Sequence, residues 1–274
     1  GLKVKFAKNA FKTTLGYSAT PQEKAQDINE MFADDEVKMI FCVSGGFNSN
    51  TVFEYLDYDV IKKNPKPLCG FSDSTSIENV IYQKTGVITF NGPTFKALTS
   101  WATPYAYEEV VKRFFKGNMQ LGQADDEYYT IKEGVAEGIL VGGNLSLVSE
   151  MAVGNYSIDF TDKILFIEEF CLETPPELVS NYLFHLKQNG VFDKIKGIWI
   201  GNYDGSVALE KILLDVLESD AINSTIQTNK YKFPIIKSNN FGHTEKKTVI
   251  PVGGKAQIDT SKKIKIEITE NFMD

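Results

Sequence analysis

Three apolar segments, each too short for a helix, alternate with helix-like segments between residues 37 and 90. They are VKMIFCV (37–43), KPLCG (66–70) and GVITF (86–90), and the intervening TVFEYL and SIENVIYQKT read as helices. Strands that are apolar on both faces and separated by helices are typical of a buried parallel sheet. Right-handed crossovers then give a doubly wound α/β layer, in which ligands bind outside the carboxyl ends of the strands.

The residues around this core complete a first domain. LKVKF (2–6) predicts a further strand near the start of the chain. A capping box at Thr20, with Pro21 at the first helical position, predicts a helix that runs to about Ala33. PYAYEEVVKRFF (104–115) predicts a last helix. We therefore predict an N-terminal α/β domain over residues 1–116.

A polar stretch, GNMQLGQADDEYYT (117–130), predicts a linker to a second domain over residues 131–274. That domain contains more short strands. The predicted strands are EGVAEGILVGGN, ILFIEEF, GIWIGN, FPIIKS and IKIEI, and the predicted helices are PPELVSNYLFHLKQNG and VALEKILLDVLES. The fold class is therefore α/β, with a doubly wound parallel-sheet domain followed by a mixed α/β domain rich in β-strands.

Composition excludes several classes of function. A net charge of −7 argues against a nucleic-acid polymer as partner, and no apolar run approaches the roughly eighteen residues of a membrane span. Cys42, Cys69 and Cys171 are far apart and lack CxxC spacing, so they read as buried thiols in a reducing compartment. With two histidines in the chain, no metal site and no cofactor are expected.

Ser72, in CGFSDSTSIENV (69–80), has two possible roles. Thr75-Ser76-Ile77-Glu78 has the pattern of a capping box, so the serine-rich stretch can simply begin a helix with Thr75 as its cap. Alternatively, Gly70 permits a sharp bend that displays Ser72 at the carboxyl end of a strand, as in a nucleophile elbow. Ser74 stands where that elbow pattern has a glycine.

A serine nucleophile needs a base and a carboxylate that orients the base. His185 lies inside a predicted helix, whereas His243 lies in a glycine-containing loop after a strand, so His243 is the candidate base. Alternation along ILFIEEF places Glu168 and Glu169 on opposite faces, and one of them can face a site. The alternatives are an exposed loop histidine and two solvated acids.

The segment VSGGFNSN (43–50) turns sharply after a buried strand. Backbone N–H groups in such a turn can bind an anion, so the amides of Gly46 and Asp73 are a candidate oxyanion hole. The alternative is a tight turn whose Asn and Ser residues cap the next helix. The segment matches neither nucleotide-binding glycine motif.

Taken together, the motifs resemble those of the serine-peptidase family that contains LD-carboxypeptidase and the microcin C immunity protein. The resemblance covers nearly the whole chain. In GGFNSN and FIEE the chain is more similar to the microcin-immunity branch of the family than to the LD-carboxypeptidase branch. It extends through GGFNSN, LDYDVIKKNPK, GFSDST, KTGVITFNGP, GILVGGNLS, ILFIEEF, NGVFDKIKGIWIG, and FGHT followed by IPVGG.

The resemblance implies a triad in which Ser72 is the nucleophile, His243 the base and Glu168 the orienting acid. It also implies an oxyanion hole from Gly46 and Asp73, in a site between the two domains. Four further residues of these motifs are predicted to bind substrate: Gly45, Asn48, Asn91 and Gly92. The implied protein is cytoplasmic, free of metal and commonly a homodimer.

Two departures from the family pattern stand out. Family members usually begin with one more strand and helix, so the N-terminus of this chain is expected to be incomplete. Microcin-immunity proteins also have a tryptophan that stacks on a nucleotide base, and the corresponding stretch of this chain, GNMQLGQADDEYYTIKEG (117–134), has none. Tyr128 or Tyr129 of this chain could stack instead.

The expected activity is cleavage of an amide bond near a carboxyl terminus. The substrate is either a murein tetrapeptide, cut at its L,D bond, or a peptidyl or aminoacyl nucleotide of the microcin type. The alternative is a non-catalytic module that binds small carboxylates or peptides.

Overall fold

The strands of the described residues form two sheets in the computed structural model, which describes residues 3–100, 103–123, 125–219 and 230–270. The helices are α1 (Pro21–Ala33), α2 (Tyr58–Lys63), α3 (Thr75–Thr85), α4 (Phe95–Ser100), α5 (Pro104–Phe114), α6 (Leu145–Glu150), α7 (Pro176–Gln188) and α8 (Leu209–Glu218). The strands are β1 (Ile40–Phe41), β2 (Leu68–Gly70), β3 (Thr89–Asn91), β4 (Tyr128–Lys132), β5 (Val135–Asn144), β6 (Lys163–Glu168), β7 (Gly197–Ile200), β8 (Ile235–Ser238), β9 (Ile250–Val252), β10 (Lys255–Asp259) and β11 (Ile266–Ile268).

The first sheet has the order β1-β2-β3-β9. Strands β1, β2 and β3 are parallel, as their apolar sequences predict, and β9 is antiparallel to β3. The prediction of a strand over LKVKF is wrong for residues 3–6, which form no strand. Leu2, the first residue of that prediction, lies outside the described residues. Val4 is 66% and Phe6 is 50% exposed, so this segment buries too little apolar surface to join a sheet.

The second sheet has the order β11-β10-β5-β6-β7-β8-β4. Strands β5 to β8 are parallel, and strands at both ends are antiparallel to their neighbours. In β6, Leu165 and Ile167 face one apolar cluster while Ile164 and Phe166 face another, which is why the strand is apolar throughout. The mixed α/β fold class is confirmed. The stretch predicted as a linker ends inside β4, and the predicted domain boundaries remain a prediction.

Helix α3, which follows Ser72, joins the four-stranded sheet to the seven-stranded one. Asn79 hydrogen-bonds Gly142 of β5 in both directions, because its Nδ2 donates to the carbonyl over 2.8 Å and its Oδ1 accepts from the N–H over 3.2 Å. A Cβ on Gly143, whose φ is +133°, would lie 2.5 Å from Thr75 Oγ1. Glycine at 143 therefore lets the start of α3 approach the carboxyl end of β5 closely.

The capping box predicted at Thr75 is wrong. Thr75 is the first residue of α3, and Ser74 before it makes no side-chain cap. The Thr75 hydroxyl accepts instead from the N–H of Asn144 over 3.0 Å, and Glu78 accepts from the Asn91 amide over 3.0 Å. Both side chains thus hold neighbouring strands, a use that the local pattern does not reveal.

Candidate active site

Ser72 lies in a strained turn directly after β2. Its φ is +63°, a left-handed value that is uncommon for a residue other than glycine, and it begins one turn of 3₁₀ helix. A Cβ on Gly45 would lie 3.0 Å from Ser72 Cβ and 3.1 Å from its Oγ. The Gly-Gly loop therefore packs against the serine itself, and this geometry is that of a strand-to-helix elbow.

Asp73 anchors the Gly-Gly loop beside Ser72. Its carboxylate accepts from the backbone N–H of Asn48 over 3.0 Å, from the N–H of Ser49 over 3.0 Å and from the Ser49 hydroxyl over 2.9 Å. Within the described part of the chain, the backbone N–H groups of Gly46 and Asp73 donate to no other residue. Two donors next to the serine are therefore available to a ligand oxygen.

Glu168 and His243 form a direct pair. Glu168, at the carboxyl end of β6, is 1% exposed, and its Oε2 accepts from His243 Nδ1 over 2.8 Å and from the His243 backbone N–H over 2.9 Å. Because the carboxylate accepts at Nδ1, the hydrogen-bond network assigns the proton to that nitrogen and leaves Nε2 as an acceptor. The acid is buried at the end of its strand rather than solvated.

Two aromatic rings enclose the imidazole. Phe170 stacks on His243 with ring centroids 4.5 Å apart and an interplanar angle of 22°, and Phe71 contacts it at 4.5 Å and 54°. The His243 side chain keeps 16% exposure, so it is mostly but not fully buried. Asn202 Nδ2 donates to the His243 carbonyl over 3.0 Å and fixes the loop backbone.

Phe71 links the Ser72 turn to the Glu168–His243 pair. Phe71 immediately precedes the serine, and its ring contacts the imidazole. Among the described residues, no hydrogen bond joins the Ser72 hydroxyl to His243. The elbow and the histidine loop thus meet at Phe71.

Asn144 and Glu169 extend this network; Asn144 was not predicted as a site residue, and the resemblance selected Glu168 rather than Glu169. Asn144 Nδ2 donates to Glu168 Oε1 over 3.3 Å and to Glu169 Oε1 over 2.9 Å. Glu169 also accepts from the N–H groups of Ser146 and Phe170, each over 2.8 Å. Burial raises the pKa of the Glu169 carboxyl. The two adjacent acids of ILFIEEF were the available sequence signal, because a buried acid needs partners.

The other candidate residues have varied surroundings. Gly45 is exposed and Asn48 accepts from Lys24 Nζ over 3.0 Å, both in the loop beside Ser72. Asn91 is 2% exposed, and its side-chain amide donates a hydrogen bond to the Glu78 carboxyl. The backbone N–H of Gly92 donates to the Gly70 carbonyl over 2.6 Å. These partners occupy one amide hydrogen of Asn91 and the N–H of Gly92, and a role in substrate binding stays a prediction for all four residues.

The remaining histidine lies elsewhere. His185, in α7, hydrogen-bonds Ser149 Oγ through Nδ1 over 2.9 Å and contacts neither candidate acid. In the described ranges, no cluster of three or more His, Cys, Asp or Glu side chains could hold a metal ion. None of the helices in those ranges is long and apolar enough to span a membrane.

Comparison with known proteins identifies the class of enzyme. Residues 1–92 match the model of the LD-carboxypeptidase N-terminal domain, and residues 137–258 match that of the LD-carboxypeptidase C-terminal domain. The chain belongs to the peptidase S66 family of serine peptidases, and the resemblance inferred from its motifs is confirmed.

Relatives within the family have two kinds of name. The chain is 32% identical over 272 residues to a probable murein peptide carboxypeptidase of Bacillus subtilis, covering 96% of this chain and 82% of that protein. It is 28% identical to the microcin C7 self-immunity protein MccF of Escherichia coli, covering 100% of this chain and 86% of that protein.

Solved structures agree with this relationship. MccF in complex with glutamyl sulfamoyl guanosine superposes with a TM-score of 0.85 at 26% identity, covering 98% of this chain and 86% of that one. An MccF-like protein from Bacillus anthracis superposes with a TM-score of 0.82 at 29% identity, covering 97% of this chain and 86% of that one.

Proposed function

We propose that this serine peptidase hydrolyses an amide bond near the carboxyl terminus of a small substrate, with Ser72, Glu168 and His243 as its triad. The observation that carries the proposal is the 2.8 Å bond from His243 Nδ1 to the buried Glu168, beside the strained turn of Ser72. A carboxylate bound at Nδ1 fixes the tautomer in which Nε2 can accept the serine proton. Across the described residues no hydrogen bond joins the Ser72 hydroxyl to His243, which is compatible with a resting state, because catalytic hydrogen bonds often tighten only with substrate.

In the first half of the reaction, Ser72 Oγ bonds to the substrate carbonyl carbon while His243 Nε2 takes the hydroxyl proton. The carbonyl oxygen becomes an oxyanion, and the N–H groups of Gly46 and Asp73 donate to it. Each such donor stabilises the transition state by about 3 kcal/mol. The C–N bond then breaks, and Nε2 returns its proton to the leaving amine.

In the second half, water repeats these steps on the acyl-enzyme. His243 Nε2 takes a proton from the water, the hydroxide bonds to the acyl carbon, and the ester bond to Ser72 Oγ breaks. The proton on Nε2 passes to the serine oxygen. Throughout, Glu168 stays ionised and stabilises the imidazolium that forms in each half.

The first candidate substrate is a murein tetrapeptide, cut between the L-centre of its diamino acid and the terminal D-alanine. The 32% identity to a murein peptide carboxypeptidase over most of both chains supports it. The second candidate is a peptidyl or aminoacyl nucleotide, which the 0.85 TM-score to MccF with a sulfamoyl nucleotide supports. Tyr129, at 46% exposure, is the better candidate for stacking on a base, because the Tyr128 ring is partly buried against an apolar cluster.

Mass spectrometry of two incubations tests both candidates. One contains murein tetrapeptide and the other an aminoacyl sulfamoyl adenylate, each with Ser72→Ala as control. Release of D-alanine alone supports the murein substrate, and release of the amino acid alone supports the nucleotide. We expect Ser72→Ala to fold normally and to lose turnover roughly a millionfold. Turnover by Ser72→Ala close to that of wild type contradicts the triad. If wild type cleaves neither compound and folded Ser72→Ala still binds one of them, the result supports the non-catalytic binding module.

We also propose that the protein is a cytoplasmic homodimer, which the family resemblance supports. Light scattering of the purified protein measures the oligomer, and fractionation of the source cells measures the location. A monomer at micromolar concentration, or enrichment outside the cytoplasm, contradicts the respective part of this proposal.

A further inference from the structure

Lys247 connects the two loops that carry the proposed nucleophile and base. Its Nζ lies 4.1 Å from the centroid of the Phe71 ring, and Phe71 is the residue before Ser72. The same Nζ donates to the Gly242 carbonyl over 3.0 Å, and Gly242 is the residue before His243. One ammonium group therefore contacts both neighbours of the catalytic pair, which lie far apart in sequence.

These contacts use the particular chemistry of an ammonium group. A cation over the face of an aromatic ring is attracted by the ring electrons, and this attraction strengthens when water is excluded. Among the described residues, no carboxylate lies within ion-pair distance of Lys247. Its charge is thus directed at the Phe71 face and at a backbone carbonyl rather than at a salt-bridge partner.

The Phe71 ring is itself part of the imidazole site. It contacts the His243 imidazole, on which Phe170 also stacks. A lysine that holds Phe71 consequently limits the positions open to both the serine turn and the imidazole. Burial lowers the pKa of Lys247, and the negative charge of Glu168 opposes that lowering.

We propose that Lys247 is a positioning residue that holds the Ser72 turn against the His243 loop, by its simultaneous contacts with Phe71 and Gly242. This inference rests on the proposed triad for its catalytic consequence. It assigns Lys247 no contact with substrate, so the rate of the chemical step should depend on it and substrate binding should not.

Kinetics of Lys247→Met and Lys247→Arg test this. Methionine keeps the unbranched apolar chain but removes the charge, and we expect kcat to fall on the order of 10- to 100-fold with KM within about twofold of wild type. Arginine keeps a cation that can lie over the ring and donate to the carbonyl, so it should restore most of kcat. Lys246→Met is the matched control, because Lys246 pairs with Asp126 instead, and it should keep kcat within about twofold.

A second measurement does not require turnover. The chain has two histidines, so the Nδ1 proton of His243 can be followed by NMR of protein labelled with ¹⁵N-histidine. We expect that resonance to be sharp in wild type and in Lys247→Arg and to be broadened in Lys247→Met. Exchange broadening would show that the loop had lost its single position.

The outcomes separate this inference from the proposed function. A raised KM with unchanged kcat in Lys247→Met would mean that the lysine binds substrate, and would overturn the inference. Wild-type kinetics and a sharp His243 resonance in Lys247→Met would also overturn it. If wild type cleaves neither substrate, the proposed function fails, and the NMR comparison still decides the role of Lys247.

Discussion

His243 donates two hydrogen bonds to one oxygen of Glu168, from Nδ1 over 2.8 Å and from its backbone N–H over 2.9 Å. One contact orients the imidazole and the other fixes the chain that carries it. Because Glu168 is almost fully buried, water cannot replace either contact. A single carboxylate oxygen thus determines both the tautomer and the position of the proposed base.

Glu168→Gln should fold but lose activity. A glutamine amide keeps the size of the side chain, but its uncharged oxygen cannot stabilise an imidazolium, and its NH₂ group can favour the wrong tautomer. We expect kcat/KM to fall roughly 10⁴-fold. Steady-state kinetics with the cleaved substrate measure this, and Glu267→Gln, at an exposed ion pair with Lys262, is the control. Activity within about tenfold of wild type in Glu168→Gln would exclude Glu168 as the orienting acid.

Gly242→Ala should destabilise the protein more than Gly154→Ala, although both glycines have a similar positive φ. Gly242 has a φ of +98°, and an added Cβ would lie 2.7 Å from Glu168 Cβ. Gly154→Ala is the matched control, because Gly154 has a φ of +87° with nothing within 4 Å of the added atom. Backbone strain alone costs about 1–2 kcal/mol, and the overlap at Gly242 adds about 1–3 kcal/mol.

Urea denaturation of both glycine variants measures the difference. The free energy of unfolding should fall more for Gly242→Ala, and only that variant should lose activity. Equal losses of stability in the two variants would show that the loop around Gly242 can move away from Glu168.

Asp73→Asn should weaken catalysis by releasing the Gly-Gly loop. The carboxylate accepts from the N–H groups of Asn48 and Ser49, and an amide can turn an NH₂ group towards those donors. We expect kcat to fall about 100-fold, similar to the loss of one oxyanion donor. Asp57→Asn, which alters the cap of α2 at Val60, is the control and should retain full activity. If kcat is unchanged in Asp73→Asn, the loop does not need this anchor.

Glu78 should make the protein less stable as the pH rises. Burial raises the pKa of this carboxyl from 4.5 to about 8, against the lowering effect of the Asn91 hydrogen bond. Between those two values the folded protein holds a proton that the unfolded chain has lost. The stabilising contribution of that proton is fully present below about pH 4.5 and is lost as the pH rises towards about 8.

Glu78→Gln isolates this effect, because glutamine imitates the protonated carboxyl at every pH. The free energy of unfolding, measured in urea from pH 5 to pH 8.5, should decline by a few kcal/mol more in wild type than in Glu78→Gln. Parallel pH profiles for the two proteins would show that Glu78 ionises at its ordinary pKa in the folded state.

Several elements that sequence analysis missed have a common physical origin. None of the residues of strand β4 is fully buried, so they lack the apolar pattern of a buried strand. Strand β9 contains Pro251, which has no N–H to donate, and it lies at the edge of its sheet, where a proline is tolerated. Helices α4 and α6 have six residues each, too few to show helical periodicity. Local patterns are weak wherever an element is short, exposed or at an edge.

The sequence by itself determined the parallel strands, the helix α3 between two of them, and the positions of Glu168 at the end of one strand and Ser72 just after another. These depend on local apolar patterns and turn residues. The helix predicted over TVFEYL is a 3₁₀ helix instead, and α2 was not predicted. Only the tertiary structure decided that Glu168 is buried against His243, that Glu169 is held by Asn144, and that Lys247 lies between Phe71 and Gly242. Those contacts join residues distant in sequence. Their energies depend on burial and on partners brought together by folding, which no local pattern encodes.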